Sequence, residues 1–447
     1  MSVGIPLPAL RRRRPASTAA GVALSLLVVT GLAAQATDYP GRDYLTGNWG
    51  GFRDDLKRQG VELGLDYTTE PMWNVSGGEV RGGTYTDNIG LDIRLDLQAL
   101  IGLPATTLLV KVSKRDGDSV SIEDVAPSEG GNLFPVQQIY GGPDGQVVKL
   151  VNVQMNTRLL DDRLDLAYGR LVANDDFLSS PLYCQFLNNA FCGSPKAVFF
   201  ENPFAFSAYP SAQWGLRGRY DTADQHWTVQ AAVYDADINL QRGNPSSKNH
   251  NQHGLSWSFG DNGVVLAGEV HYRPLPDTET GLPGTYKLGG YWMSGDFEDI
   301  GRNDGSTVNG NAMLWILGDQ MLYRERAGSD EGLAGFATYV QSLQTDVNLL
   351  NNHLGLGLVY AGLLPGRPRD TTGLAFTRGW VSGQSNQARR EQGLVARNAE
   401  SVIELNYKIM LGHGITFQPD LQYITTPAGT GEIPNAWLLG AQVTVDF

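Results

Sequence analysis

Charged side chains recur at every second position along much of this chain. In "NIGLDIRLDLQAL", Asp92, Arg94 and Asp96 alternate with Leu91, Ile93, Leu95 and Leu97. The same spacing carries Glu62 and Asp66, Lys111 and Arg115, Asp165, Arg217 and Arg219, Glu269 and Arg273, Glu404 and Lys408, and Asp420. Period two gathers such residues on one face of a strand. Both signs are present, so the face is neither a ladder of Lys and Arg for phosphate nor an acidic ring for cations. Mixed donors and acceptors suit the hydroxyls of a neutral polar solute.

Other reactive residues offer less. Cys184 and Cys192 are the only cysteines, in "PLYCQFLNNAFCGSP". In an exported chain they imply a disulfide closing a small loop, and two thiols without a nearby histidine make an incomplete metal site. His250 and His253 in "KNHNQHG" sit in a polar loop with no third ligand nearby. His271 and His353 fall within strand candidates and read as lumen or wall residues. No G-x-S-x-G, H-E-x-x-H or G-x-x-x-x-G-K-[ST] occurs, and no cofactor is implied. A pair of glycosidase carboxylates stays open, because that chemistry depends on separation in space.

The elements that must position these charges are strands. Apolar residues fill the opposite face: Leu216 and Tyr220 behind Arg217 and Arg219, Ile403 and Leu405 behind Glu404, Phe417 and Leu421 behind Asp420, Val443 and Val445 near the end. A soluble sandwich also alternates. Three features together point elsewhere. The segments run to about ten residues, the length of a tilted strand crossing a bilayer. Tyr67, Trp214, Tyr220, Trp227, Tyr272, Trp292, Tyr407, Tyr423 and Phe447 stand near strand ends on the apolar face, as an interfacial girdle does. Full charges on the other face suit a water-filled lumen and not a dry core.

The expected fold is therefore all-β: a transmembrane antiparallel β-barrel of about 16 strands, closed because lipid tolerates no open sheet edge. Counting gives 16 or 17 candidates, with 253–259 or 372–380 the ones to merge or discard. Short turns such as "GDNG" (260–263) alternate with long polar stretches at 116–147, 172–203, 235–252, 294–310 and 381–398.

The barrel is preceded by two shorter pieces. Arg11 to Arg14, an apolar run and Ala34-Gln35-Ala36 form a secretory signal, residues 1–36, with cleavage after Ala36. Removing it takes four of the 34 basic residues and none of the 47 acidic ones, leaving 30 against 47, a net −17. That balance disfavours nucleic acid as a partner. In residues 37–60, Trp49, Phe52 and Leu56 recur at helical spacing, and Gly60 is the C-cap that releases the chain into a strand from Val61. Residues 61–447 are the barrel.

"LTGNWGGFRDDLKRQGVELGLDYTTEPMWNVSGG" (45–78), "LGLGLVYAGLLPGRPRD" (354–370), "IELNYKIML" (403–411) and "ITFQPDLQYITTP" (415–427) resemble the carbohydrate-selective porins of bacterial outer membranes, the OprB family. The resemblance spans the mature chain in order. It implies a 16-stranded barrel in the outer membrane for passive diffusion of sugars, glucose-like monosaccharides above all. It also implies inward-folded loops that narrow the pore, lined by arginine, carboxylate and aromatic side chains. Arg81, Arg94 and Glu123 are the matching candidates, with Tyr183, Phe186 and Phe191 from the disulfide-pinned loop, and Arg94→Ala is expected to widen the pore or relax its specificity. Phe447 resembles the terminal aromatic read by the barrel-assembly machinery. A general or differently selective porin is the alternative, followed by an outer-membrane enzyme. Monomer and trimer both suit an apolar outer wall that meets lipid.

Overall fold

The structure is a computed structural model and describes residues 44–139, 148–192, 206–236, 253–255, 263–275 and 281–447. The expected leader, His250 and residues 256–262 lie outside the described residues. Sixteen strands are described: β1 Val61–Ser76, β2 Gly82–Asp96, β3 Thr106–Gly117, β4 Lys149–Leu159, β5 Leu164–Leu171, β6 Gln213–Asp221, β7 Trp227–Asp235, β8 Val264–Tyr272, β9 Gly284–Glu298, β10 Thr307–Arg324, β11 Gly332–Ser342, β12 Leu350–Ala361, β13 Thr371–Val381, β14 Ala399–Gly412, β15 Ile415–Thr425 and β16 Ala436–Asp446. Each pairs antiparallel with its chain neighbours, and β1 pairs with β16 to close the barrel. Four α-helices are found among the described residues: α1 Phe52–Arg58, α2 Leu97–Ile101, α3 Ala173–Asp176 and α4 Ser385–Glu391.

Alternation sets the two faces. In β1 and β2 the register places Glu62 opposite Arg94 and Asp66 opposite Gly90 on the inside, and Leu65 opposite Leu91 on the outside. Leu216, Leu288, Ile316, Ile403, Leu405 and Leu439 are all exposed on the outer wall. No described helix is long and apolar enough to cross a membrane.

The period changes at Gly60. Helix α1 ends there with Gln59 N–H bonded to the carbonyls of Asp55 and Leu56. Gly60 has φ +90°, and a Cβ would lie 2.9 Å from Ala99 Cβ, so both backbone and space require glycine. Phe52 remains exposed, and α1 is tied down by polar contacts instead. Arg53 Nη2 donates to the Phe447 carbonyl at 2.6 Å, and its guanidinium lies over Tyr44 and Trp49 at 3.8 and 4.5 Å.

Several sequence expectations shift. Leu97 belongs to α2, because the Asp96 side chain caps a helix there and ends β2. Residues 372–380 are strand, within β13. The 294–310 stretch shrinks to a 299–306 connection, since β9 and β10 extend beyond the bilayer-length core of alternation. Gly263, the one described residue of "GDNG", immediately precedes β8, at the end where the long connections gather.

The interior also departs from the simple picture. The connections 118–148 (β3 to β4) and 172–212 (β5 to β6) lie at one end, and their described residues fold into the barrel. Leu133, Phe134, Val136, Phe177, Tyr183, Phe186, Phe191 and Phe206 from these loops are fully or almost fully buried. They pack on inward side chains of β7 to β14, including Tyr234, Tyr291, Met293, Met313, Trp315, Phe336 and Val402. Ring centroids are 5.0 Å apart for Tyr183–Phe336 and 5.2 Å for Phe206–Tyr291. A dry core therefore occupies the interior against β7 to β14. The sequence shows why: "MLWIL" in β10 is apolar on both faces, Met313, Trp315 and Leu317 inside and Leu314 and Ile316 outside.

Candidate functional site

Every strand backbone group in a closed barrel is engaged by a neighbouring strand, so the inserted loops must be held by side chains. Four inward glutamates do this. Glu400 on β14 accepts from Asn132 Nδ2 at 2.8 Å, Leu133 N at 2.9 Å, Phe134 N at 2.9 Å and Ala428 N at 2.7 Å. Glu404, four residues on in the same strand, accepts from Leu187 N at 2.6 Å and Asn188 N at 2.9 Å. Glu70 on β1 accepts from Ile139 N at 2.9 Å and Gln442 Nε2 at 2.7 Å. Glu269 on β8 accepts from Leu178 N at 2.9 Å and Trp315 Nε1 at 2.7 Å, and faces His271 Nε2 at 2.6 Å.

These contacts correct part of the pore-lining set. Glu269 and Asp420 face inward as period two requires, but each is only 2% exposed, sealed beneath the 172–212 loop or beside its anchors. Arg217 is likewise buried at 6% and pairs with Asp165 and, at 3.1 Å, with Asp176 of α3. It fixes the loop to the wall and does not meet the lumen freely. Tyr183, Phe186 and Phe191 are core residues, so the aromatics of the disulfide-pinned loop do not line the water path. The Cys184–Cys192 disulfide is formed, and Lys408 Nζ donates to the Cys184 carbonyl at 3.0 Å. Asp96 spends its carboxylate on the α2 N-terminus, accepting from Gln98 N at 2.9 Å and Ala99 N at 3.2 Å. Arg81 is exposed in the 77–81 connection, and Glu123 is exposed in the 121–125 turn of the 118–148 loop. Arg94 is exposed at the opposite end of β2.

Solvated inward groups remain on the side of β1 to β6. Asp92 and Lys111 pair across β2 and β3 at 3.4 Å, and Arg115 lies over the Tyr209 ring at 5.2 Å. Opposite them stands Asp175 on α3, which sequence reading had not singled out. Its side chain is open to lumen water yet ringed by wall atoms. That crowding removes solvent from the carboxyl and pushes it up to about 6, opposed by Lys111 and reinforced by Asp176 and Asp92. Burial also raises Asp176, against the pull of Arg217. The signal that could have found Asp175 is "ANDDF", two acids between apolar loop anchors, whose place opposite Lys111 only the folded loop reveals.

At the long-loop end, Glu129 joins two connections. Arg389 and Arg397, on and after α4, lie 3.0 and 2.6 Å from its oxygens. Burial acts to raise this carboxyl, but the two guanidinium groups overcome it and hold it below its ordinary value. His253 bonds through Nδ1 to the Val148 carbonyl at 3.0 Å, a structural contact.

The arrangement sets a charged wall of β2 and β3 and hydrogen-bonded, inserted loops inside one closed barrel. Comparison with known proteins agrees. The carbohydrate-selective porin family, OprB, matches residues 80–447. Porin B of Pseudomonas aeruginosa is 29% identical over 98% of this chain and 99% of its own length. The putative porin QuiX of Acinetobacter baylyi is 26% identical, over 91% and 93% of the two chains. The high-pH structure of Pseudomonas putida OprB superposes with a TM-score of 0.81 at 26% identity, covering 91% of this chain and 99% of that one. This chain belongs to the carbohydrate-selective porin family, OprB, and is a bacterial outer-membrane β-barrel channel for the diffusion of carbohydrates, not an enzyme.

Proposed function

We propose that the channel passes glucose-like monosaccharides singly, between the inner wall of β1 to β6 and the inserted loops, with Asp92, Lys111, Arg115 and Asp175 at the narrow region. The observation that carries this reading is the balanced charge there: Asp92 is paired with Lys111 at 3.4 Å, while Arg115 lies over an aromatic ring. Paired charges leave hydrogen-bonding capacity without a strong net field, which favours a neutral polyol over either ion. The dry core supports a bore much narrower than an empty 16-stranded barrel, and hence a small solute. On this reading the long connections face the exterior, α1 lies on the periplasmic side, residues 1–36 are the leader and Phe447 is the terminal aromatic read during assembly.

Liposome swelling with glucose, a disaccharide and a charged amino acid tests it. Glucose should enter fastest, and a charged amino acid of similar size should lag. Equal rates for glucose and the amino acid would overturn the reading in favour of a general porin.

A further inference from the structure

Three amides stand in a row on the inner face of β4. Asn152 Nδ2 donates to Gln154 Oε1 at 3.1 Å, and Gln154 Nε2 donates to Asn156 Oδ1 at 2.8 Å. They occupy alternate positions, so the rungs are about 7 Å apart, twice the rise of a strand residue. Their neighbours in register on β5 are small: Gly169 opposite Gln154 and Ala167 opposite Asn156. Gln154 and Asn156 accordingly stay half-exposed, while Asn152 is buried and its Oδ1 has no partner among the described residues. The upper end of the row abuts the charged wall. A register shift lies between Val110, paired with Val153, and Val112, paired with Leu150, so Lys111 faces the bulge that carries Asn152.

We propose that Gln154 and Asn156, with buried Asn152 orienting Gln154 from behind, form a hydroxyl track. A neutral sugar leaving the Asp92–Lys111 pair passes along it toward the short-turn end. The inference rests on the sugar reading above and names the residues that discriminate the solute beyond the narrow region. A carboxylate only accepts and an ammonium only donates, but a carboxamide does both, as a hydroxyl does. Gln154 spends one N–H and one lone pair within the ladder and keeps one of each for a solute. Close spacing lets a sugar engage the next rung before releasing the last, so no step strips all its hydrogen bonds at once. The rungs are uncharged and hold no counter-ion, which separates their effect on sugar from their effect on salt.

The test uses the full-length protein with Gln154→Met and Asn156→Leu, singly and together, substitutions that nearly keep volume and abolish hydrogen bonding. Glucose swelling rates and KCl conductance are measured side by side, with heat-modifiable migration confirming a folded barrel. In the double variant glucose entry should fall about five- to tenfold, the worth of one hydrogen bond lost from the path, while KCl conductance holds. Each single variant should show a smaller loss, and Gln154→Asn, which shortens the rung but keeps its chemistry, the least. A parallel fall in glucose and KCl overturns the proposal, because the residues then only shape the bore. Unchanged glucose entry overturns it as well. If the unsubstituted protein shows no preference for glucose over a charged amino acid, the sugar reading itself has failed; a selective parent with an unaffected variant refutes the track alone.

Discussion

Glu400→Ala should unlatch the 118–148 loop and enlarge the channel intermittently. Glu400 is fully buried and its two oxygens serve four donors: Asn132 Nδ2 and Phe134 N on one, Leu133 N and Ala428 N on the other. Truncation leaves these four without their acceptor, at roughly 1–3 kcal/mol each, so about 4–12 kcal/mol for a loop that stays put. Undocking has its own cost, because Leu133, Phe134 and Val136 are at most 2% exposed. Exposing three such side chains costs roughly 5–9 kcal/mol at about 1.5–3 each. The two penalties are comparable, and water entering the vacated space lowers the first. The loop should therefore exchange between docked and released positions. Glu400→Gln keeps one acceptor oxygen but turns an amide N–H₂ toward two backbone donors, so it should act in the same direction and less strongly. Single-channel recording in KCl reads this directly: one steady level for the parent, and an additional, larger level for the variants, most occupied in Glu400→Ala. A folded Glu400→Ala barrel with one level of parental size and parental glucose preference would refute the reasoning, showing that apolar packing alone holds the loop.

Two further outcomes follow from other parts of the structure. Asp175 is pushed up to about 6 by its crowded position, so it is largely ionised at pH 7.5 and largely neutral at pH 5; cation preference in a salt gradient should drop as pH falls through about 6, and Asp175→Asn should remove that dependence, whereas an unaltered profile would exclude Asp175 from the ion path. Arg53 ties α1 across the β1–β16 seam through the Phe447 carbonyl at 2.6 Å and the Leu63 carbonyl at 3.4 Å; Arg53→Ala should lower the temperature of heat-modifiable unfolding with conductance unchanged, and a loss of about 1.5–3 kcal/mol is expected for hydrogen bonds from a charged donor.

Alternation made the barrel legible, because period two is a local property of the chain. Glu62, Asp66 and Asp92 face inward and Leu65, Ile89 and Leu216 outward as read, and Gly60 marks the turn from helix to strand. The division of the inner face into wet and dry halves was not legible in the same way. Asp92 and Glu269 have the same local pattern, yet one pairs with Lys111 in the lumen and the other accepts the N–H of Leu178, 91 residues earlier. Glu404 takes its donors from Leu187 and Asn188, more than two hundred residues away, at separations of 217 and 216. Such choices are made by loop conformation, which carries no periodicity. The one local trace was compositional: inward Val265, Ala267, Met313, Trp315 and Leu317 are apolar where a lumen would be polar.

The use of carboxylates as loop anchors has a physical reason. A closed sheet has no spare backbone groups, so a loop entering it brings N–H groups that nothing on the wall's main chain can accept. One carboxylate supplies about four acceptor sites from a single side chain; a glutamine supplies half as many and adds donors where donors already point. Glu70, Glu269, Glu400 and Glu404 thus serve a geometric need that an amide wall residue meets poorly, which is why Gln422 and Gln418 support the loops only at their carbonyls or side chains, as Gln422 Nε2 does at the Val136 carbonyl, 3.0 Å away. These four side chains, together with Arg217 and the glutamines, fix where the inserted loops stand against the wall. A substitution at any of the four glutamates should alter the passage while leaving the strand ladder intact, so that the barrel's stability and the channel's selectivity vary independently.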